Sequence, residues 1–371
     1  MNTADRILEL ALEAGFDLAA LAPLGPPRDG ERFGAWLEAG RHAGMGWLEA
    51  YRERIQDPRR IDPAARSLLL VGLGHHRPAV RLGSDGDDGR VARYAAGRDY
   101  HNLLTKRLRG VARRLRESGL AGTGRILVDA GPLLERSHAE EAGLGFASKA
   151  ANLLHPTFGP WFFLGELFLD LELDPAPAPT PPPGSCGTCT ACIDACPTTA
   201  ILEPGVVDAG RCISYHTIEN RGTIPRELRP SFGPWAFGCD VCSEVCPWGS
   251  RAPDAGATFG THPFVGERSL VDWLEGTREE LIGSPLLRAG PQGLARNAAV
   301  VLGNLPSDRG QHALLDALEH PSPLVRGTAF DSLARAHARE RTTGPALERA
   351  LDRESDEAAK AEMEAARAEH L

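Results

Sequence analysis

Cys186-Gly-Thr-Cys189-Thr-Ala-Cys192-Ile-Asp-Ala-Cys196-Pro197 decides how the rest of the chain is read. Its C-x2-C-x2-C-x3-C-P spacing is the run of bacterial two-cluster ferredoxins, in which three thiolates wrap one [4Fe–4S] cube and the fourth serves the other. A second run, Cys239-Asp-Val-Cys242-Ser-Glu-Val-Cys246-Pro247, lacks one cysteine, and Ala236 stands in the missing place. Cys212 is the cysteine left to fill it. The spacing predicts a first cluster on Cys186, Cys189, Cys192 and Cys246, and a second on Cys196, Cys212, Cys239 and Cys242. Two four-cysteine zinc sites or four disulfides are the alternatives. The x2-x2-x3-Pro pattern favours iron–sulfur loops over zinc. A 371-residue chain whose cysteines all lie between 186 and 246 is not laid out as a disulfide-stapled domain.

Outward from the cysteines, Asp174 to Gly184 carries six prolines in eleven residues and is expected to be an extended linker. Residues 1–173 read as a mixed α/β domain. Ser67-Leu-Leu-Leu-Val-Gly-Leu73, Arg125-Ile-Leu-Val-Asp129 and Trp161 to Leu173 have strand character. A helix is expected near 101–118, with Leu104, Leu108, Val111 and Leu115 on its apolar face and six Lys or Arg around the rest. The basic residues suit either a solvated face or a phosphate-facing stripe. Beyond 263 the chain turns helical. There Gly293 to Asn304 matches Pro323 to Leu333 at an offset that pairs Arg296 with Arg326 and Ala299 with Ala329, as stacked HEAT-like hairpins would. The expected fold is α+β in four segments: 1–173 mixed α/β, 174–184 linker, 185–262 ferredoxin-like, and 263–371 helical repeat.

The composition narrows the setting. The formal net charge is −9, which disfavours non-specific nucleic-acid binding, so any nucleic acid needs a local basic patch. No run of about 18 uncharged apolar residues occurs, and the N-terminus reads as an amphipathic helix rather than a signal peptide. A cytoplasmic location without membrane contact is expected. Clusters move single electrons, and a carrier needs only a small scaffold. Large flanking segments therefore predict a reductase. No G-x-G-x-x-G or Walker sequence names its acceptor.

Further segments carry a resemblance. They are Tyr94-Ala-Ala-Gly-Arg-Asp-Tyr-His101, Val128-Asp-Ala-Gly-Pro-Leu-Leu-Glu-Arg136 and Ala142-Gly-Leu-Gly-Phe-Ala-Ser-Lys149. Trp161-Phe-Phe-Leu-Gly-Glu-Leu167, Cys212-Ile-Ser-Tyr-His-Thr-Ile-Glu219 and Arg296-Asn-Ala-Ala-Val-Val-Leu-Gly-Asn304 complete the set. Together with both cysteine runs, the chain resembles the epoxyqueuosine reductases, cobalamin-dependent enzymes of tRNA modification, nearly end to end. One departure is Gly233-Pro-Trp-Ala-Phe-Gly-Cys-Asp240, where the family usually has Gly-Asn-Arg before the aromatic-Gly-Cys-Asp.

The resemblance implies that residues 1–173 bind cobalamin, that two [4Fe–4S] clusters feed it electrons, and that epoxyqueuosine at the tRNA wobble position is reduced to queuosine. It implies Asp129 as the proton donor. Burial against an apolar corrin face would raise its pKa from the ordinary Asp value, as a general acid requires. It sets Arg54, Lys149, Ser214, Cys239 and Asp240 around the corrin or its phosphate tail, and Arg221 at the tRNA-facing rim. His101 and His155 are not assigned to cobalt. Residues 287–345 hold seven arginines against five acids, a local reversal of the chain's charge, and Arg296 and Arg326 are expected to touch tRNA. The expected partners are tRNA carrying epoxyqueuosine and an external electron donor of flavodoxin or ferredoxin type, with the enzyme a monomer. The competing readings are another corrinoid iron–sulfur reductase, such as a reductive dehalogenase, and a non-catalytic electron carrier.

Overall fold

The computed structural model describes residues 2–82, 89–173, 184–338 and 340–371, so the proline-rich stretch lies outside the described residues apart from Gly184. The chain divides into two compact units, neither continuous in sequence. One comprises residues 1–77, 99–210 and 241–259, and the other 78–98, 211–240 and 260–371.

In the first unit the three expected strands form one antiparallel sheet with a fourth, Leu18–Pro23, that the sequence reading did not anticipate. β1 (Leu18–Pro23), β2 (Ser67–Gly74), β3 (Thr123–Leu127) and β4 (Phe162–Leu169) lie in the order β1-β2-β4-β3. All eight residues of β2 are buried, so both faces are covered. One face is covered by α2 (Tyr100–Glu117), with α1 (Thr3–Glu13) beside it. Leu104, Leu108, Val111 and Leu115 of α2 are fully buried, and a side chain on Gly165 of β4 would meet Leu108. The other face is covered by α3 (Glu135–Glu141), whose Ala139 shares an apolar cluster with Leu68, Leu70, Leu164 and Phe168. Side chains alternate along a strand. Phe163 and Gly165 therefore face α2, while Leu164, Glu166 and Phe168 face α3. A carboxyl group thus interrupts an apolar row.

The basic residues of α2 divide. Arg107 donates to the Gly15 carbonyl at 2.6 Å, Arg114 pairs with Glu13, and Arg116 donates to Thr123. Lys106, Arg109 and Arg113 remain exposed.

The second unit is organised on its helices: α4 (Ile213–Ile218), α5 (Gly290–Asn304), α6 (Asp308–Ala317), α7 (Pro323–His337), α8 (Thr343–Arg353) and α9 (Glu357–His370). The repeat-like segments fall on α5 and α7, which pack together with Ala299 and Ala329 fully buried. The strand Trp235–Phe237 pairs in parallel with Arg90–Val91. Val91, Ala95, Phe237, Leu270 and Trp273 belong to one apolar cluster with Leu294, Ala298, Phe330 and Leu333. This explains why the units differ from the linear division read from sequence. Residues 78–98 and 211–240 find their apolar partners on the C-terminal helices, so residues 263–371 do not own their core. Among the described residues, no helix is long and apolar enough to cross a membrane.

Candidate active site

The two cysteine runs reach one cavity from separate short helices. Cys189 N–H donates to the Cys186 carbonyl at 3.0 Å across a turn in which Gly187 takes a φ of 49°. Such a left-handed residue is cheap only for glycine. Cys192 lies on Ala191–Asp194 and Cys242 on Val241–Glu244, with Cys246 just beyond. Cys186, Cys189, Cys192, Cys242 and Cys246 line the cavity with Ser148, Asn152 and Trp248. Burial raises the Cys192 thiol, and the nearby Cys186 and Cys246 raise it further. Burial also raises Cys246, again with Cys186 and Cys189 close by. The four thiols assigned to the first cluster thus converge from both runs, an arrangement that fits a cube. Among the described residues no three His, Cys, Asp or Glu side chains crowd a single ion-sized point. A cube spreads its four thiolates over four irons. Cys196 Sγ accepts the Ala200 N–H at 3.2 Å. In the second unit, Cys212 immediately precedes α4 and Cys239 follows Trp235–Phe237, both partly buried.

Elsewhere in the first unit stands a group of carboxyls. Asp129 follows β3 at a φ of 51°, a left-handed conformation that Asp adopts more readily than most residues. It is exposed, and its carboxylate accepts the Tyr100 O–H. Tyr100 opens α2, and its ring lies flat on Phe163 at 3.9 Å between centroids. Phe163 in turn meets His75 at 4.3 Å and Phe259 at 5.3 Å. His101 Nδ1 lies 2.7 Å from Asp99. Burial pulls the His101 pKa down, but its hydrogen bond to Asp99 and the charges of Asp99, Asp129 and Glu135 outweigh burial and leave it raised.

Glu135, the first residue of α3, encloses its carboxyl group although the residue as a whole is half-buried. Burial first, and then the charge of Asp129, push it up to about 7, against partial relief from Arg136 and the Asp129 backbone N–H. Glu166 is 1% exposed, and one of its carboxyl oxygens has no hydrogen-bond partner. Burial, followed by the charges of Glu135 and Asp129, raises its pKa well above the usual carboxylate range. Sequence reasoning expected Asp129 to be buried against a bound corrin; the protein's own burial is a separate feature. That burial falls one layer deeper, on two glutamates. Neither Glu135, Glu166 nor Tyr100 was singled out from sequence. The available signal was Glu166, a lone carboxyl in Phe162-Phe-Leu-Gly-Glu-Leu-Phe-Leu169, where the apolar run demands a core residue.

The other expected residues separate. Arg54 is exposed on Trp47–Gln56, its guanidinium 4.9 Å from the centre of the Tyr51 ring. Lys149 Nζ donates to the carbonyls of Gly187 and Cys189 at 2.8 and 2.9 Å, so its ammonium holds a cysteine loop. Ser214 lies on α4, and the buried Asp240 accepts the Arg93 backbone N–H at 2.8 Å. Arg221 is exposed, with one N–H on the Ala289 carbonyl at 3.0 Å.

Arg296 is not a tRNA contact. It is fully buried, and its guanidinium donates to the carbonyls of His216, Asn220 and Gly222 and to the side chain of Asn297. Arg326 pairs with Glu354 through two 2.7 Å bonds and donates to the His320 and Pro321 carbonyls, which commits it to bracing α7. The charge reversal in this region counted arginines whose donors are turned inward.

A cavity lined by thiols of both cysteine runs, with a hydrogen-bonded aspartate and buried glutamates in the same unit, defines an iron–sulfur oxidoreductase with an acid site. Comparison with known proteins narrows the class. Residues 55–130 match the family model described as Epoxyqueuosine reductase QueG, DUF1730, and residues 185–249 match a 4Fe-4S double cluster binding domain. The chain is 39% identical over 340 residues to the epoxyqueuosine reductase of Xanthomonas campestris, covering 88% of this chain and 94% of that one. It is 35% identical over 331 residues to that of Escherichia coli, covering 84% and 86%. A crystal structure of epoxyqueuosine reductase with an epoxyqueuosine-modified tRNA-Tyr stem loop has a TM-score of 0.87 at 26% identity, over 98% of this chain and 97% of that one. The Bacillus subtilis epoxyqueuosine reductase with its catalytic aspartate loop swung out has a TM-score of 0.84 at 26% identity, over 98% of each chain. The chain belongs to the epoxyqueuosine reductase family.

Proposed function

We propose that this protein reduces epoxyqueuosine to queuosine at the wobble position of tRNA. The single observation that carries the chemistry is Asp129, exposed beyond β3, bonded to Tyr100 and backed by the enclosed carboxyl of Glu135 and the buried Glu166. The reaction opens an epoxide and releases its oxygen as water, consuming two electrons and two protons. Asp129 is the group placed to give a proton to the departing oxygen. Tyr100 fixes which way its carboxyl points. Glu135 holds the Asp129 backbone N–H and, titrating near neutrality, is a source from which Asp129 regains a proton.

The eight cysteines hold two [4Fe–4S] clusters, with Cys186, Cys189, Cys192 and Cys246 as the first ligand set and Cys196, Cys212, Cys239 and Cys242 as the second. The cofactor implied by the resemblance is cobalamin. Tyr100 stacks flat on Phe163, with His75 tilted against the same ring, and together they form an aromatic wall behind Asp129. Arg54, Asp129, Ser214, Cys239 and Asp240 are the residues proposed to hold it, whereas the Lys149 ammonium is engaged by the cysteine loop. When bound, the clusters would supply single electrons and the corrin would supply the reducing power for opening the epoxide. Arg221 is the arginine proposed to meet tRNA phosphate. The enzyme acts in the cytoplasm as a monomer with an external flavodoxin- or ferredoxin-type donor.

The test is an anaerobic assay of the reconstituted enzyme on tRNA carrying epoxyqueuosine, read by nucleoside mass spectrometry. Queuosine formation dependent on added cobalamin supports the proposal. Cluster reduction with no change in the nucleoside would return the chain to a carrier.

A further inference from the structure

The turn at residues 148–152 is more tightly built than a connection requires, and it touches both cysteine runs. Ser148 N–H donates to the Asn152 carbonyl at 2.8 Å, and the Ser148 hydroxyl accepts the N–H groups of Ala150 and Asn152 at 3.2 and 3.0 Å. Ala151 takes a φ of 61°, and its carbonyl accepts Arg136 at 2.8 Å. The Lys149 carbonyl accepts the Gly205 N–H at 2.9 Å. From this anchored turn, Asn152 donates to the hydroxyl of Ser243, the residue after Cys242, at 3.3 Å. Lys149 reaches the other run, its ammonium on the Gly187 and Cys189 carbonyls. Ser148, Ala150 and Asn152 line the cavity with the thiols of the first ligand set.

We propose that Lys149 is a positioning residue that sets the reduction potential of the first cluster by pinning a fixed positive charge against its ligand loop. The inference rests on the cluster assignment above. A cube gains one negative charge when it accepts an electron, and a nearby cation stabilises the more negative state. The same ammonium occupies two carbonyl oxygens of the ligand loop whose negative ends would otherwise oppose that charge. Because Lys149 is anchored through its own backbone by Gly205 and through the turn by Ser148, the charge is held in place. A surface lysine free to swing into water would be screened by solvent and salt.

The experiment is an EPR-monitored redox titration of the anaerobically reconstituted protein, with iron and sulfide counted, for wild type, Lys149→Gln and Lys149→Arg. Gln keeps a donor for one carbonyl and removes the charge, whereas Arg keeps both charge and donors. The expected result is full iron content in all three. In Lys149→Gln the first cluster has a lower midpoint, so its ratio of reduced to oxidised form at a fixed potential falls several-fold. Lys149→Arg stays near wild type, and the second cluster serves as an unmoved reference. An unchanged midpoint in an iron-replete Lys149→Gln protein overturns the proposal. Loss of about half the iron in that variant overturns it as well, because Lys149 would then only fold the loop. Wild-type protein that shows no [4Fe–4S] signal fails the cluster assignment itself and takes the proposal with it.

Discussion

Two clusters of buried charge, one in each unit, are built in opposite ways. In the second, Arg229 is fully buried and lies 2.7 Å from Asp331 of α7 and 2.6 Å from Glu362 of α9, while also donating to the Ile224 carbonyl. Arg296 is equally buried and spends its N–H groups on three carbonyls and Asn297. These cations are matched, and they lock helices to one another. In the first unit, Glu166 faces apolar neighbours with one oxygen unmatched, and Glu135 and Asp129 add charge of the same sign. Pairing marks structure. An unpaired, like-charged buried group persists at a cost, and such groups concentrate where protons are moved.

The largest effect is expected from breaking a matched pair. Arg229→Ala strands two carboxylates and should cost about 3–5 kcal/mol of stability. Chemical denaturation followed by circular dichroism would show it, and a loss below about 1 kcal/mol would mean the pairs are solvent-relaxed. Next comes Asp129→Asn, which keeps the shape and removes the proton. Turnover on epoxyqueuosine-tRNA should fall about 100-fold or more, with iron content and melting temperature unchanged; near-normal turnover removes Asp129 from the mechanism.

The glutamates test the other side of the contrast. Replacing a strained group should help the fold, so Glu166→Gln should stabilise the protein on the order of 1–3 kcal/mol at pH 8. The gain should shrink toward pH 5. A carboxyl whose folded pKa is raised contributes stability at pH below its unfolded value and loses it as pH climbs through the folded one. Equal gains at both pH values would show that Glu166 carries no such penalty. For Glu135 the same logic reaches activity: the protonated form is present below about pH 7, so turnover should decline above that pH in wild type. Glu135→Gln should flatten that limb of the profile, and an unaltered limb would exclude Glu135 as a proton source. The smallest effect belongs to Arg221, exposed in the unit where other arginines turn inward. Arg221→Ala should weaken tRNA binding modestly and reduce the slope of log affinity against log salt by roughly 0.7–0.9. An unchanged slope places the phosphate contact elsewhere.

The cysteine runs and their x2-x2-x3-Pro spacing announced the clusters, because ligand geometry around a cube is imposed by bond lengths within a short loop. The strands at 67–74 and 162–169 and the helix at 100–117 were equally legible, since each carries its apolar period in contiguous residues. Asp129 and Arg221 came from resemblance alone. Three things were decided only in three dimensions. Residues 78–98 and 211–240 joined the C-terminal helices because Val91 and Phe237 found apolar partners far along the chain. Arg296 and Arg326 turned inward because carbonyls and Glu354 stood within reach there. Glu135 and Glu166 acquired their raised pKa values because sheet pairing and the packing of α3 enclosed both carboxyls and set the exposed Asp129, from a separate segment, close enough to add its charge. Local spacing can specify a ligand set or a helix face, but burial and the neighbourhood of charges are properties of long-range packing, and the sequence holds them only through the fold.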